Sequence, residues 1–572
     1  MLSYYRAGRQ SILEYHQFPF RTHYFGGGYP LAANPLDGAL NPFFIPVLMV
    51  GEVVGLKINV FLAHIIAALG MYYLTRFILG YNRPGALFST FTFCLGGNLH
   101  RMLIKGITYP PVLYFFMPLL LALFIKAKEN KRYLIYTIFL FAMMLTQLSL
   151  RFLAILTFLF LFSLLEGIKY KNKRLAFDAG YIKNLFIIIL FTFLLGAIKI
   201  FPMLELLKQN PLYADSYHRF WWQPLFLQIY KTFLVHQRNL SGLGEHWHYF
   251  YLGYIPIIFS LLAFFTDWRK TRSLFILLII FSLLSFGACT RLDLFRLLRP
   301  LPIFHSMVEP ERYFIHLVIF IIALASGRFF LICQKLKGRF VNLLFISVII
   351  FTTVDLFLTN SSNGESFPEP LPKYTKQLSF FSIKNTGAPD KVRPLIPKRV
   401  PYMQSLEFTR PTQYELLLQN IGKLNAYTNI HLGEYATPKY YIAWNEEESL
   451  DPKNYTWHPN PDYKGEIYFL NNPRNKVEFQ YFSPNKLLAK VSVLEPDTLI
   501  INQNYDKYWR SDLVKPFSHS GLLAINLDKR GEYLVKFNYV PISFYAGLGV
   551  SSITLVFTIY YLKRKQTKIK IL

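Results

Sequence analysis

Acidic residues are scarce in this chain and cysteines are nearly absent. Its 572 residues hold 33 Asp and Glu against 61 Lys and Arg, a formal charge of +28. Charged residues amount to 16%, against roughly 25% in a soluble globular domain. A basic excess can mark a nucleic-acid partner, because Lys and Arg neutralise phosphates. Here the cations fall in short clusters between apolar runs, so no nucleic acid is expected. Cys94, Cys289 and Cys333 lie in or beside apolar runs and form neither a disulfide framework nor a metal-ligand spacing. The first residues lack the apolar core of a secretory signal peptide. A phosphate-cradling glycine loop is also missing: no Lys-Ser/Thr follows "FGGGYP" (Phe25–Pro30) and no strand-to-helix context surrounds it.

What the chain does hold is apolar sequence: 53% hydrophobic residues, with 18% aromatic. About eleven segments approach the roughly twenty residues that cross a bilayer. They are Asn59–Leu79, Gly85–Leu95, Val112–Ile125, Tyr133–Leu145, Phe152–Leu165, Leu185–Phe201, Tyr249–Phe265, Leu274–Phe286, Phe314–Leu331, Leu343–Leu358 and Phe544–Leu562. The loops "KAKENKR" (Lys126–Arg132), "KYKNKR" (Lys169–Arg174), "DWRKTR" (Asp267–Arg272) and "KLKGR" (Lys335–Arg339), and the tail Lys563–Lys570, are basic. All fall on one side if the chain alternates through every segment, and positive charge assigns that side to the cytoplasm.

The expectation is a polytopic α-helical membrane protein with about eleven transmembrane helices. Residues 1–55 form a first extracytoplasmic loop and 56–358 a bundle of about ten helices. Residues 359–540 form an extracytoplasmic mixed domain, and 541–572 the last helix with its basic cytoplasmic tail. Within 359–540, period-two alternation marks Lys476–Phe482, Lys486–Leu494, Asp497–Tyr505, Gly521–Leu527 and Gly531–Val540 as strands with one buried face. They predict a β-sandwich-like unit just before the last helix.

The stretch "HYFGGGYPLAANPLDGALNPFF" (His23–Phe44) is unusual for the start of a membrane chain. Its glycines permit tight turns and close approach, its prolines stiffen it, and His23, Tyr24 and Asp37 supply polar groups. Such a loop suits the cap of a polar cavity; the plain reading is a packed connector. Glu245 and His246 precede a helix and read as acid–base groups, metal ligands or members of an interfacial belt. Arg312, Arg151 and Lys199 stand at external helix ends, where cations hold phosphates or snorkel to the interface. Glu205 follows Pro202 at a helix end and faces either a cavity or a capping partner.

"FPFRTHYFGGGYPLAANP" (Phe18–Pro35) resembles the first external loop of the bacterial YfhO-like membrane proteins, with Arg21 where tryptophan is common. "GAIKIFPMLELLKQNP" (Gly196–Pro211) is similar to that family's helix end with Pro-x-x-Glu. "GEHWHYFYLGYIPIIFSLLAFF" (Gly244–Phe265) and "LPIFHSMVEPERYF" (Leu301–Phe314) resemble two of its helix entries. "SPNKLLAKVSVLEPDTLIINQNYDKYWRSD" (Ser483–Asp512) is similar to its terminal sandwich, with Lys507-Tyr508 in place of the usual Pro-Gly. The resemblance implies a GT-C-type glycosyltransferase in the bacterial cytoplasmic membrane. Such an enzyme moves a sugar from a polyprenyl-phosphate donor to an envelope lipid or polymer. It also implies a helix and an acidic residue ahead of Met1, the acid deprotonating the acceptor hydroxyl. The cofactor stays open, with a divalent cation as the candidate. The alternatives are a non-catalytic accessory protein that binds lipid-linked glycans and, third, a transporter, for which Asp355 is the membrane carboxylate.

Overall fold

The computed structural model describes residues 2–22, 28, 30–35, 37–97, 113–147, 150–171, 174–209, 232–234, 250–286, 293–301, 304, 307, 310–333, 339–360, 383–385, 440–443, 456–459, 464–519 and 522–569. Helices fill its first part. In order they are α1 (Leu2–Leu13), α2 (Phe44–Val50), α3 (Glu52–Tyr73, prolonged by a π turn to Ile78), α4 (Arg83–Leu95), α5 (Met117–Glu129), α6 (Lys131–Leu145) and α7 (Leu150–Gly167). After a hairpin come α8 (Gly180–Leu195), α9 (Ala197–Gln209), α10 (Tyr254–Thr266), α11 (Trp268–Phe286), α12 (Glu311–Ile332) and α13 (Arg339–Asn360); α14 (Ile542–Ile569) follows the β region.

Local chemistry sets several ends. Asn82 caps α4 by accepting from Gly85 N, with Pro84 in the first turn. Asn130 caps α6 through Arg132 N and at the same time ends α5. The centre of the bundle is α12, packed against α4, α7, α10 and α11. Its apolar stretch is 83% buried, whereas α13 and α14 bury only 11% and 22% of theirs. A helix that is apolar all round and buried belongs to a core; one that stays apolar and exposed has lipid for a solvent.

Each expected apolar segment contains a helix, but helix length and hydropathy do not confirm eleven crossings. Among the described residues, five helices are long and apolar enough to span: Glu52–Ile78, Leu150–Gly167, Tyr313–Ile332, Val341–Asn360 and Ile542–Tyr561. A sixth arises if Gly180–Leu195 and Ala197–Leu206, bent by 76°, act as one. Helices α4, α5 and α10 have 13 residues each, because Gly, Pro or Asn interrupts their apolar runs. The basic stretch after α7 is not a plain loop either: β1 (Ile168–Lys171) and β2 (Arg174–Phe177) pair antiparallel there.

Three of the basic stretches, around Lys128, Lys169 and Arg272, are joined at one end of the bundle. Lys128 bonds Asp178 at 2.6 Å, Arg272 donates to Ile168 O at 3.4 Å, and Arg328 pairs with Asp267 at 2.6 Å. The 18 residues of α7, about 27 Å long, lead from there to Arg151 at the other end.

Three short strands, β3 (Ile383–Asn385), β4 (Tyr440–Ala443) and β5 (Thr456–Pro459), form one small sheet. The larger β region holds β6 (Ile467–Phe469), β7 (Lys476–Ser483), β8 (Lys486–Val493), β9 (Asp497–Asn504), β10 (Trp509–Ser511), β11 (Phe517–His519), β12 (Leu522–Leu527) and β13 (Gly531–Tyr539). All five alternating runs are strands, with ends within a residue of those expected. They form two antiparallel sheets, β10-β13-β8-β7 and β11-β12-β9-β6. Leu487, Ala489, Val491, Val535 and Phe537 from one sheet share a core with Leu499, Ile501, Leu523 and Ile525 from the other.

Position within this architecture decides what an apolar residue contributes. Leu499 is fully buried, and Leu499→Ala should cost about 2–5 kcal/mol. Phe61, 66% exposed on α3, should tolerate Ala within about 0.5 kcal/mol. Thermal unfolding of the detergent-purified chain measures both, and equal losses would contradict this assignment of core and lipid face.

Candidate functional site

At the end of the bundle away from the basic stretches, an apolar interior gives way to polar side chains from distant parts of the chain. The first loop lies at the centre. Phe18 and Phe20 pack on Phe544 at the head of α14, with ring centroids 5.0 and 4.9 Å away. Asn485 donates to Phe18 O at 2.7 Å and Ser483 to Gln17 Oε1 at 3.0 Å. The loop is therefore stitched into the β region before it returns to the helices.

Arg21 makes the tightest of these stitches. It is 1% exposed, donates to Gln503 Oε1 and, at 3.0 Å, to Asn504 O, and lies 5.1 Å over the Trp509 ring. Burial brings its pKa down to about 10, opposed by Tyr539 and Asp506, so it stays cationic at neutral pH. Gly28, with φ +109°, lies against this guanidinium, and a Cβ there would overlap it. Asn504 donates to Gly28 O at 2.8 Å. This is the physical reason for a glycine at that point: a left-handed backbone that must also admit an arginine head. Asp506 completes the corner by accepting from Tyr508 N at 2.9 Å and from Tyr539 Oη at 3.0 Å. Burial pushes its carboxyl up, against the pull of these donors and of Arg21. Trp509 N donates to Asp506 O at 3.0 Å, so a turn forms here without the Pro-Gly pair.

Asp37 and Lys199 are brought together. The Lys199 ammonium donates to Ala32 O at 3.0 Å, to Asp37 O at 3.2 Å and to Asp37 Oδ2 at 3.5 Å. Both side chains are almost wholly buried. Burial pushes the Asp37 carboxyl above the usual carboxylate range, opposed first by Lys199 and then by the amides of Ala39 and Gly38. Next to the pair, Gly38 packs on Gln147, whose amide donates to Tyr5 Oη at 3.0 Å.

Glu205, at the end of α9, accepts from Tyr508 Oη and pairs with Lys507. That contact raises the pKa of the Lys507 ammonium. Between Glu205, Asp506, Pro30 and Phe20 the cavity measures about 20 Å³, room for about one water and far too little for a sugar. Arg151 is buried deeper in the bundle, 5.7 Å over the Tyr313 ring. Its neighbour His316 is 1% exposed, and neither ring nitrogen has a hydrogen-bond partner among the described residues.

Arg312 is the second residue of α12, but its side chain lies outside the described residues, as do His23, Tyr24, Glu245 and His246. Among the described residues, no group of three or more His, Cys, Asp or Glu side chains is placed to hold a metal ion. Sequence reasoning singled out Asp37, Lys199, Glu205 and Arg151. It passed over His316, and it noted Arg21, Lys507 and Tyr508 as departures from the resembled pattern. The departures were the available signal: those three residues meet the partners that join loop, α9 and β region.

Lys199→Ala would leave the Asp37 carboxyl buried and unpaired, a loss of roughly 3–5 kcal/mol. Replacing both, as Asp37→Leu with Lys199→Met, should recover most of it. Thermal unfolding midpoints of the three proteins check this, and an unchanged midpoint for Lys199→Ala would remove the ion pair from the account. No family model, curated protein or solved structure matches the chain, so the reading of the site rests on its geometry.

Proposed function

We propose that the chain is a GT-C-type membrane protein that transfers a sugar from a polyprenyl-phosphate donor to an envelope lipid or polymer. One observation supports this reading above others. Three stretches that carry the YfhO-like resemblance, far apart in sequence, converge: Arg21 and Asp37 of the first loop, Lys199 and Glu205 of α9, and Tyr508 and Trp509 of the β region. In this chemistry a carboxylate within hydrogen-bond reach takes the acceptor hydroxyl's proton. The oxygen then attacks the anomeric carbon as the bond to phosphate breaks. Cations at the external helix ends, with Arg312 foremost, hold the departing phosphate.

A second reading is favoured by the closed state of the same place. Asp37 is engaged by Lys199, and the adjoining cavity holds about one water, which suits a protein that binds lipid-linked glycan without turning it over. An assay in membranes with labelled polyprenyl-phosphate sugars separates the two. Transfer of label supports the first reading; retention of donor without transfer supports the second. Arg312→Ala should abolish transfer, while Arg269→Ala, in the basic stretch at the other end, should leave it intact. Equal activity of the two variants would refute the phosphate assignment.

The orientation proposed with this function places the basic stretches in the cytoplasm and the β region outside, in a bacterial cytoplasmic membrane. The joining of three of those stretches at one end supports it, because positive charge is retained on the cytoplasmic face. Single cysteines at Lys171 and Ser362 should be labelled from opposite faces of intact cells. Labelling of both by one impermeant reagent would overturn the orientation.

A further inference from the structure

A cavity of about 250 Å³, lined by Arg6, Arg9, Gln10, Leu13, Glu14 and Glu52, opens where α1 packs on α2 and α3. Its charges are unevenly engaged. Arg6 pairs with Glu52 at 3.6 Å, and Gln10 donates to Glu14 Oε2 at 3.3 Å. Arg9 has no ion pair among the described residues, and its Nε–H is buried with no hydrogen-bond partner. An arginine that lines a cavity and has no ion pair among the described residues can take an oxyanion on its guanidinium.

The position of the cavity says which anion. Glu52 is the first residue of α3 and of the span Glu52–Ile78, so the cavity sits where that helix leaves the hydrocarbon for the headgroup layer. Beside it α2 and the head of α3 expose Ile45, Met49, Val50 and Val54, Met49 by 77%. A polar cavity with a cation that has no ion pair among the described residues, next to a strip of apolar side chains, matches a phospholipid: phosphate inside, acyl chains along the strip. Glu14 at the exposed rim adds a carboxylate five residues from Arg9. A headgroup carrying phosphate and ammonium a short linker apart answers both charges.

We propose that this cavity is a binding site for an aminophospholipid headgroup, with Arg9 on the phosphodiester and Glu14 on the ammonium. The site is separate from the Asp37–Lys199 pair and does not depend on sugar transfer. Delipidated full-length chain in detergent would be titrated with phosphatidylethanolamine, phosphatidylglycerol or inorganic phosphate. Retained lipid would be counted by native mass spectrometry. Phosphatidylethanolamine should be retained by the unmodified chain and lost about tenfold more readily from Arg9→Gln. Glu14→Gln should erase the preference over phosphatidylglycerol while keeping phosphate-dependent retention. Three results overturn the proposal: equal retention by Arg9→Gln, no preference for the amine headgroup in the unmodified chain, or displacement of the lipid by millimolar inorganic phosphate. Should Arg9→Gln fail to fold, Arg9→Lys, which keeps the charge but loses the planar fork, replaces it, with an intermediate loss expected and full retention overturning the proposal.

Discussion

A guanidinium taken out of water constrains everything around it. Arg21 carries its charge into a place with almost no solvent, and such a charge is tolerable only when acceptors and aromatic faces surround it. Gln503 and Asn504 of β9, Trp509 of β10 and Tyr539 of β13 meet that demand. Because those partners come from the end of the chain, the folded β region ties down the loop at Arg21 and Gly28, and Gly28 supplies the backbone shape that the contact requires. The helices inherit the restriction, since the same loop delivers Asp37 to Lys199 and Asn41 to Met143 O and Thr146.

The consequence for chemistry is a tension between order and access. The strong polar contacts described at this end of the bundle also close the space between them. Glu205 is held by two side chains of the β region, and Lys199 reaches three oxygens. Under the proposed sugar transfer, a productive state would trade some of these contacts for contacts to phosphate and sugar hydroxyls, which offer the same kinds of acceptor that loop carbonyls now provide.

Much of this architecture was legible from the residues. Period-two alternation located the strands from Lys476 to Tyr539, since a sheet with one buried face leaves no other pattern. Apolar runs located the helices, yet not how many span, because length and bends depend on interruptions such as Gly196 and on neighbours that hydropathy does not see. Asp37 was legible as a loop carboxylate and Lys199 as a cation at a helix end, but their pairing joins residues 162 apart and has no local signature. His316 was invisible for the opposite reason. A lone histidine in a greasy helix reads as filler until its surroundings show that both nitrogens lack partners among the described residues.

The 76° bend between α8 and α9 bears on how the chain is assembled. A break frees backbone groups that the bilayer interior cannot satisfy. Here Ser551 of α14 splints it, accepting from Ile198 N at 3.0 Å and donating to Leu194 O at 3.4 Å, while Gly547 admits the Ala197 carbonyl. The splint is made by a segment synthesised some 350 residues later. Until α14 is made, the α8–α9 break lacks the Ser551 hydroxyl that now serves both Ile198 N and Leu194 O, so removing α14 should be felt first at this bend in the middle of the chain.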